Sequence, residues 1–275
     1  MSKATSDSPN HTVRVPQVPR KALIGMVHVG ALPGTPRARY TLSQLEETAV
    51  HEADILAKAG FDAIIIENMH DTPYVNAPHA PETVAGMTRI GLAIRRELPK
   101  MALGVQVLSF GHMEALGVAL AIDGAFIRVE NFVFAHVADE GLLAEAAAGR
   151  LLRHRRNIGA THVRLMCDIK KKHASHAITG DVSVADAAKA AEFFGADGLI
   201  VTGPHTGTPT DPADIDAALS GASLPVWVGS GVTPAQVKPL LAKADALVVG
   251  SDIKKGGVWS NPVDAARCRR IVDAK

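Results

Sequence analysis

Six apolar runs in this sequence end on a polar residue of matching parity: His28, Glu67, Gln106, Glu130, Asp168 and Thr202. These types suit proton transfer, because a carboxylate or imidazole taken partly out of water is retuned towards neutral pH and can give or take a proton. Alternate side chains of a strand face opposite sides, so parity decides which groups can meet. In the fifth run Val163, Leu165, Cys167 and Ile169 make an apolar face, leaving Arg164, Met166, Asp168 and Lys170 on the other. Ile64 and Ile66 oppose Ala63, Ile65 and Glu67 in the same way, and Ala125, Ile127 and Val129 oppose Phe126, Arg128 and Glu130. A single strand-end carboxylate is more often a solvated loop residue or an ion-pair partner. Convergence of six ends is more specific, and it selects Glu67, Glu130 and Asp168 as candidate acid/base groups, with His28 and Lys170 to polarise a reacting oxygen. Asn68, Gln106, Arg128, Thr202 and His173 are the candidate substrate contacts.

Two further runs end in glycine instead, at Gly229-Ser230-Gly231-Val232 and Gly250-Ser251-Asp252. Glycine lets main-chain N–H groups approach an anion closely, so Gly229, Ser230, Gly231, Gly250 and Ser251 are the candidate phosphate site, with Lys254 and Lys255 near enough in sequence to add positive charge. Arg37, in a loop rich in Pro and Gly, is a candidate to reach a carboxylate or phosphate. The run Lys170-Lys171-Lys172-His173 reads equally as a solvated face or as the source of a general acid, a general base or a Schiff-base lysine. His28, Glu67, Glu130 and Asp168 offer N and O ligands, which leaves a divalent metal open, but no H-E-x-x-H or similar spacing supports one and no cofactor is assigned.

The elements that must position these groups alternate along the chain. Candidate strands at 22–28, 62–67, 102–107, 125–130, 162–168, 198–202, 225–230 and 246–251 are each followed by an amphipathic stretch. Ser43 with Glu46 reads as a capping box for the first helix and Gly60 as its end; Ser183 with Asp186, Thr233 with Pro234 and Asn261 with Pro262 open later helices. Eight strand–helix pairs in even spacing predict one α/β domain over 21–275, a closed (β/α)8 TIM barrel of phosphate-binding type, with an open doubly wound sheet as runner-up. In such barrels active sites sit at the C-terminal ends of the strands, and loops seven and eight frequently hold phosphate, which is where the polar and glycine ends fall. Residues 1–20, rich in Ser, Thr and Pro, read as a disordered tail.

Composition narrows the function classes. Lys plus Arg number 29 against 28 Asp plus Glu, so the chain lacks the basic field of a nucleic-acid binder. The 2 cysteines cannot build a disulfide framework and point to a reducing, cytoplasmic setting. No run is long enough for a membrane span. Leu142, Leu143, Leu151 and Leu152, placed on one helix, could serve a homo-oligomer interface.

The motifs Ile24-Gly25-Met26-Val27-His28 with Leu32-Pro33-Gly34 and Pro36, and Glu67-Asn68 with Asp71 and Pro73, resemble blocks of the BtpA/SgcQ family. Lys172-His173-Ala174, Val201-Thr202-Gly203 with Thr206-Gly207, Gly229-Ser230-Gly231-Val232 and Val249-Gly250-Ser251 with Lys254, Gly257, Asn261 and Pro262 are similar to its later blocks, so the resemblance spans about 22–273. It implies a (β/α)8 barrel and no single reaction, since one family name comes from photosystem I biogenesis and the other from a sugar-transport gene cluster. Two readings follow. The first is an enzyme, an isomerase, lyase or glycosidic-bond hydrolase, acting on a small phosphorylated metabolite such as a sugar phosphate or nucleotide-like compound. The second is a non-catalytic assembly or stability factor that keeps the barrel pocket.

Overall fold

Short Val-, Ile- and Ala-rich runs can be buried on both faces, which is what a parallel sheet covered by helices demands. In the computed structural model, which describes residues 15–275, the order is β1 (Ala22–His28), α1 (Leu42–Ala59), β2 (Ala63–Glu67), α2 (Pro81–Glu97), β3 (Ala102–Gln106), α3 (His112–Ala121) and β4 (Phe126–Val129). There follow β5 (His136–Ala138), β6 (Gly141–Leu143), α4 (Ala148–Asn157), β7 (Arg164–Ile169), β8 (Ala174–Ser175), α5 (Val184–Phe193), β9 (Gly198–Val201) and α6 (Pro212–Gly221). The chain ends with β10 (Val226–Val228), α7 (Pro234–Lys243), β11 (Ala246–Val249) and α8 (Ala265–Asp273).

Strands β1, β2, β3, β4, β7, β9, β10 and β11 close a parallel barrel in that order, and β11 pairs back onto β1. The register sets His28 opposite Glu67 and Glu67 opposite Gln106, so three of the candidate residues share one level. Ile64, Ile66, Leu165, Cys167 and their equivalents pack outward against the helices, while Ile24, Met26, Ile65, Phe126, Met166, Ile200 and Trp227 fill the barrel. Each buried side chain of that size contributes roughly 1.5–3 kcal/mol. Phe126 and Trp227 meet edge to face with centroids 5.0 Å apart. Their fit requires Gly104, since a Cβ there would lie 2.2 Å from the Phe126 ring.

Several local expectations need correcting. The first helix is capped by Thr41, whose side chain accepts from Gln44 N–H, rather than by Ser43 with Glu46; Gly60 does end it, at φ 102°. Ser183 with Asp186 forms the expected capping box, but the last helix starts behind Asp264 instead of Asn261. Ala125 belongs to the inner cluster, because β4 begins only at Phe126. Leu142 and Leu143 lie on β6 and not on a helix with Leu151, which removes that argument for an oligomer interface. β6, β5 and β8 instead form a small antiparallel sheet from the loops after β4 and β7. Of the stretch read as a tail, 1–14 lie outside the described residues; Val15 is buried and Val18 packs against the inner cluster.

Candidate functional site

At the C-terminal ends of the barrel strands two cavities adjoin, one of about 130 Å³ and one of about 220 Å³, and Glu67, Met69, Arg128, Lys172 and Thr206 line both. The first lobe is walled by Gly229, Ser230, Gly231, Val232, Gly250, Ser251 and Asp252. The N–H groups of Ser230, Gly231, Val232, Ser251 and Asp252 have no acceptor among the described residues. Open N–H groups from two neighbouring loops form a concave cradle suited to an anion. Gly231 cannot carry a side chain here: its φ is +63° and a Cβ would lie 2.3 Å from Pro209 N, because the β9 loop packs directly on it. The Ser230 hydroxyl donates to carbonyls of that loop, at His205 (3.1 Å) and Thr208 (2.8 Å), so the side chain fastens the cradle.

The three expected carboxylates divide sharply. Asp168 accepts from Arg128 Nε and Nη2 at 3.0 and 2.9 Å, a buried two-pronged pair that fixes the guanidinium between the lobes. Glu130 accepts from Lys171 Nζ at 3.0 Å and from Phe110 N–H at 2.9 Å. Burial works against its charge, but Lys171 and that N–H outweigh it and hold the carboxyl below its ordinary value. The Glu67 carboxylate alone makes no hydrogen bond among the described residues; His28 Nε2 lies 3.7 Å from it. Burial pushes the Glu67 pKa up, against the pull of Arg128 and Lys172. His28 Nδ1 lies 2.9 Å from the Trp259 carbonyl, so a neutral ring donates there and turns its lone pair towards Glu67. Burial, followed by Lys254, keeps that imidazole neutral by lowering its pKa well below the usual value.

Lys170, expected to point in, does not line either lobe. β7 ends at Ile169 and the backbone turns to φ 46° at Lys170, so strand parity stops one residue earlier than the sequence suggests. Lys172 lines both lobes, and Lys171 lines the second. Burial, with Arg128 second, lowers the Lys172 pKa to about 8 against the pull of Glu67, Asp168 and Glu130, of which the last two are bonded to Arg128 and Lys171. His173 lines the second lobe and accepts from Thr206 N–H at 3.1 Å. Gln106 lines it too, with Oε1 buried and unpartnered. Thr202 is buried with its hydroxyl likewise unpartnered, outside both linings. Asn68 is withdrawn from the cavity: it donates to Asp71 and the Leu108 carbonyl and accepts from Leu108 N–H at 2.6 Å, tying two loops together. Lys254 is buried against Glu52 on α1, not beside the cradle, and Arg37 is exposed outside the linings. Among the described residues no group of three or more His, Cys, Asp and Glu side chains is arranged to hold a metal ion.

Parity could not have found Met69, Tyr74 and Trp259, which enter from loops after β2 and β11. The only hint was compositional, a tryptophan in a polar loop of a chain with 2 of them.

The fold and cavity define a (β/α)8 barrel with a polar, two-lobed mouth at the strand ends. A family model for the BtpA family matches residues 19–275, and the chain belongs to that family. An uncharacterised mitochondrial protein of Caenorhabditis elegans is 40% identical over 257 residues, covering 92% of each chain. The photosystem I biogenesis protein BtpA of Synechocystis is 32% identical over 253 residues, 92% of this chain and 87% of that one. Among solved structures, the thiamine phosphate pyrophosphorylase of Pyrococcus furiosus superposes with a TM-score of 0.56 at 14% identity over 93% of this chain and 96% of that one. A 3-hexulose-6-phosphate synthase gives 0.55 at 16% identity, over 92% and 99%. Those two likenesses concern the fold. Among the described residues no helix is long and apolar enough to cross a membrane.

Proposed function

We propose that this protein is an enzyme that holds a small phosphorylated metabolite by its phosphate in the glycine-lined lobe and moves protons on the rest of the molecule in the second lobe. The observation that carries this is the meeting of open backbone N–H groups with Glu67 and Lys172, both unpaired and both lining the two lobes. Glu67 acts as general base and the Lys172 ammonium as general acid, with His28 beside the carboxylate and the Arg128–Asp168 pair as a fixed positive wall. Glu130 and Lys171 hold the β3 and β7 loops in place rather than touch the reacting atoms. Isomerisation, carbon–carbon cleavage and glycosidic-bond cleavage all use such a pair over an anchored phosphate. The buried, free Cys167 and Cys268 suit a reducing compartment such as the cytoplasm. The name of the Synechocystis relative favours an assembly factor instead, a role that would leave the cradle without a ligand.

Thermal unfolding in inorganic phosphate tests the reading. At 100 times its dissociation constant, phosphate stabilises the native chain by about 2.7 kcal/mol, seen as a rise in melting temperature. Ser251→Asp, which puts a negative charge into the lobe at a partly exposed position, abolishes the rise while melting normally without phosphate. No rise in the native chain, or an equal rise in the variant, refutes the anion site.

A further inference from the structure

The second lobe differs in charge from the first. Two of its acids are already neutralised, Asp168 by Arg128 and Glu130 by Lys171. Beyond those pairs its walls keep Glu67, Asp139 and Glu140 against Lys172. Asp139 and Glu140 sit at the β5–β6 turn and make no ion pair among the described residues, and Glu140 Oε2 is buried without a hydrogen-bond partner. Independently, Gln106, only 2% exposed, lines the lobe with a side-chain amide that makes no hydrogen bond among the described residues, its carbonyl oxygen buried without a partner. The Tyr74 hydroxyl donates to the Met69 carbonyl at 2.7 Å, so it offers the lobe its ring rather than a donor. With the Trp259 indole, that makes two aromatic surfaces beside unmatched acceptors. Aromatic faces and acceptor oxygens share one preferred guest, a cation with several N–H donors.

The geometry points to an ammonium group as the occupant of the second lobe, which makes the substrate a small phosphate ester with a primary amine at its far end, of the amino-sugar phosphate class. This rests on the anion reading of the first lobe and deepens it. An ammonium supplies three donors to Gln106 Oε1 and the turn carboxylates and balances their charge, whereas a hydroxyl leaves the charge and a carboxylate adds to it.

Calorimetric titration of the full chain with glucosamine 6-phosphate, glucose 6-phosphate and 6-phosphogluconate compares an amine at C2, a hydroxyl at C2 and a carboxylate at C1, each remote from the same 6-phosphate. The amine binds about tenfold more tightly than the hydroxyl compound and the carboxylate most weakly. N-acetylglucosamine 6-phosphate, its charge removed, falls to the hydroxyl level without any change to the protein. The double variant Asp139→Asn, Glu140→Gln brings the amine down to the same level and leaves inorganic phosphate affinity unaltered. Equal affinity for the amine and hydroxyl compounds, with inorganic phosphate still bound, overturns the ammonium site alone. Failure of all four esters together with inorganic phosphate overturns the anion site and this inference with it.

Discussion

In the loop after β11, Lys254 is fully buried and gives its Nζ to Glu52 at 2.9 Å, while the second Glu52 oxygen accepts from Val263 N–H at 2.8 Å. In the mouth, Lys172 and Glu67 line the same cavities without such a bond. Burial lowers the pKa of both lysines, yet only Glu52 answers for its lysine with a direct hydrogen bond. The first pair clamps α1 to the loop after β11, and every polar atom in it is matched. The second is left open, and a half-satisfied buried acid and base are costly to keep unless a ligand or a reaction uses them. Saturation thus separates the lysine that holds the fold together from the one that serves the site.

The largest test of that contrast is stability. Lys254→Met strands the Glu52 charge and costs about 3–5 kcal/mol in denaturant unfolding, much of it recovered by adding Glu52→Leu. Lys172→Met, with no partner to strand, changes stability by less than about 0.5 kcal/mol. Equal losses would erase the distinction.

A smaller effect sharpens it. Sulfate keeps its charge from pH 7 to 9, but Lys172, with its pKa lowered to about 8, does not. The protonated lysine attracts the anion, so sulfate affinity is near full at pH 7, about half at pH 8 and about a tenth at pH 9, the change expected one unit above the pKa of a required cation. Lys172→Met flattens the profile. A pH-independent affinity in the native chain would place Lys172 away from the anion.

Much of this was readable from the sequence because strand alternation is strict. Ile64 and Ile66 could face only the helices, which sent Glu67 inward, and the same logic placed His28, Gln106, Arg128 and Asp168. The rule fails where the strand does. At Lys170 the turn to φ 46° breaks the alternation, and a run of three lysines carries no signal that Lys171 and Lys172 reach the cavity while only Lys172 stays unpaired there. Lys254 misled for a related reason: closeness in sequence to the glycine loop says nothing about Glu52, which meets it from α1. Trp259 and Tyr74 arrive on irregular loops, whose paths depend on tertiary packing rather than periodicity. Pairing is equally hidden, so parity proposed Glu67, Glu130 and Asp168 as equals and only the geometry separates the free acid from the two bonded ones.

A crystal structure of the protein grown in inorganic phosphate tests the anion site by direct observation. The expected result is one phosphate in the glycine-lined lobe, within hydrogen-bond distance of backbone N–H groups from both 230–232 and 251–252, with the Lys172 ammonium turned towards it. A lobe that stays free of phosphate at saturating concentration, or a phosphate held only by surface side chains elsewhere, would contradict it.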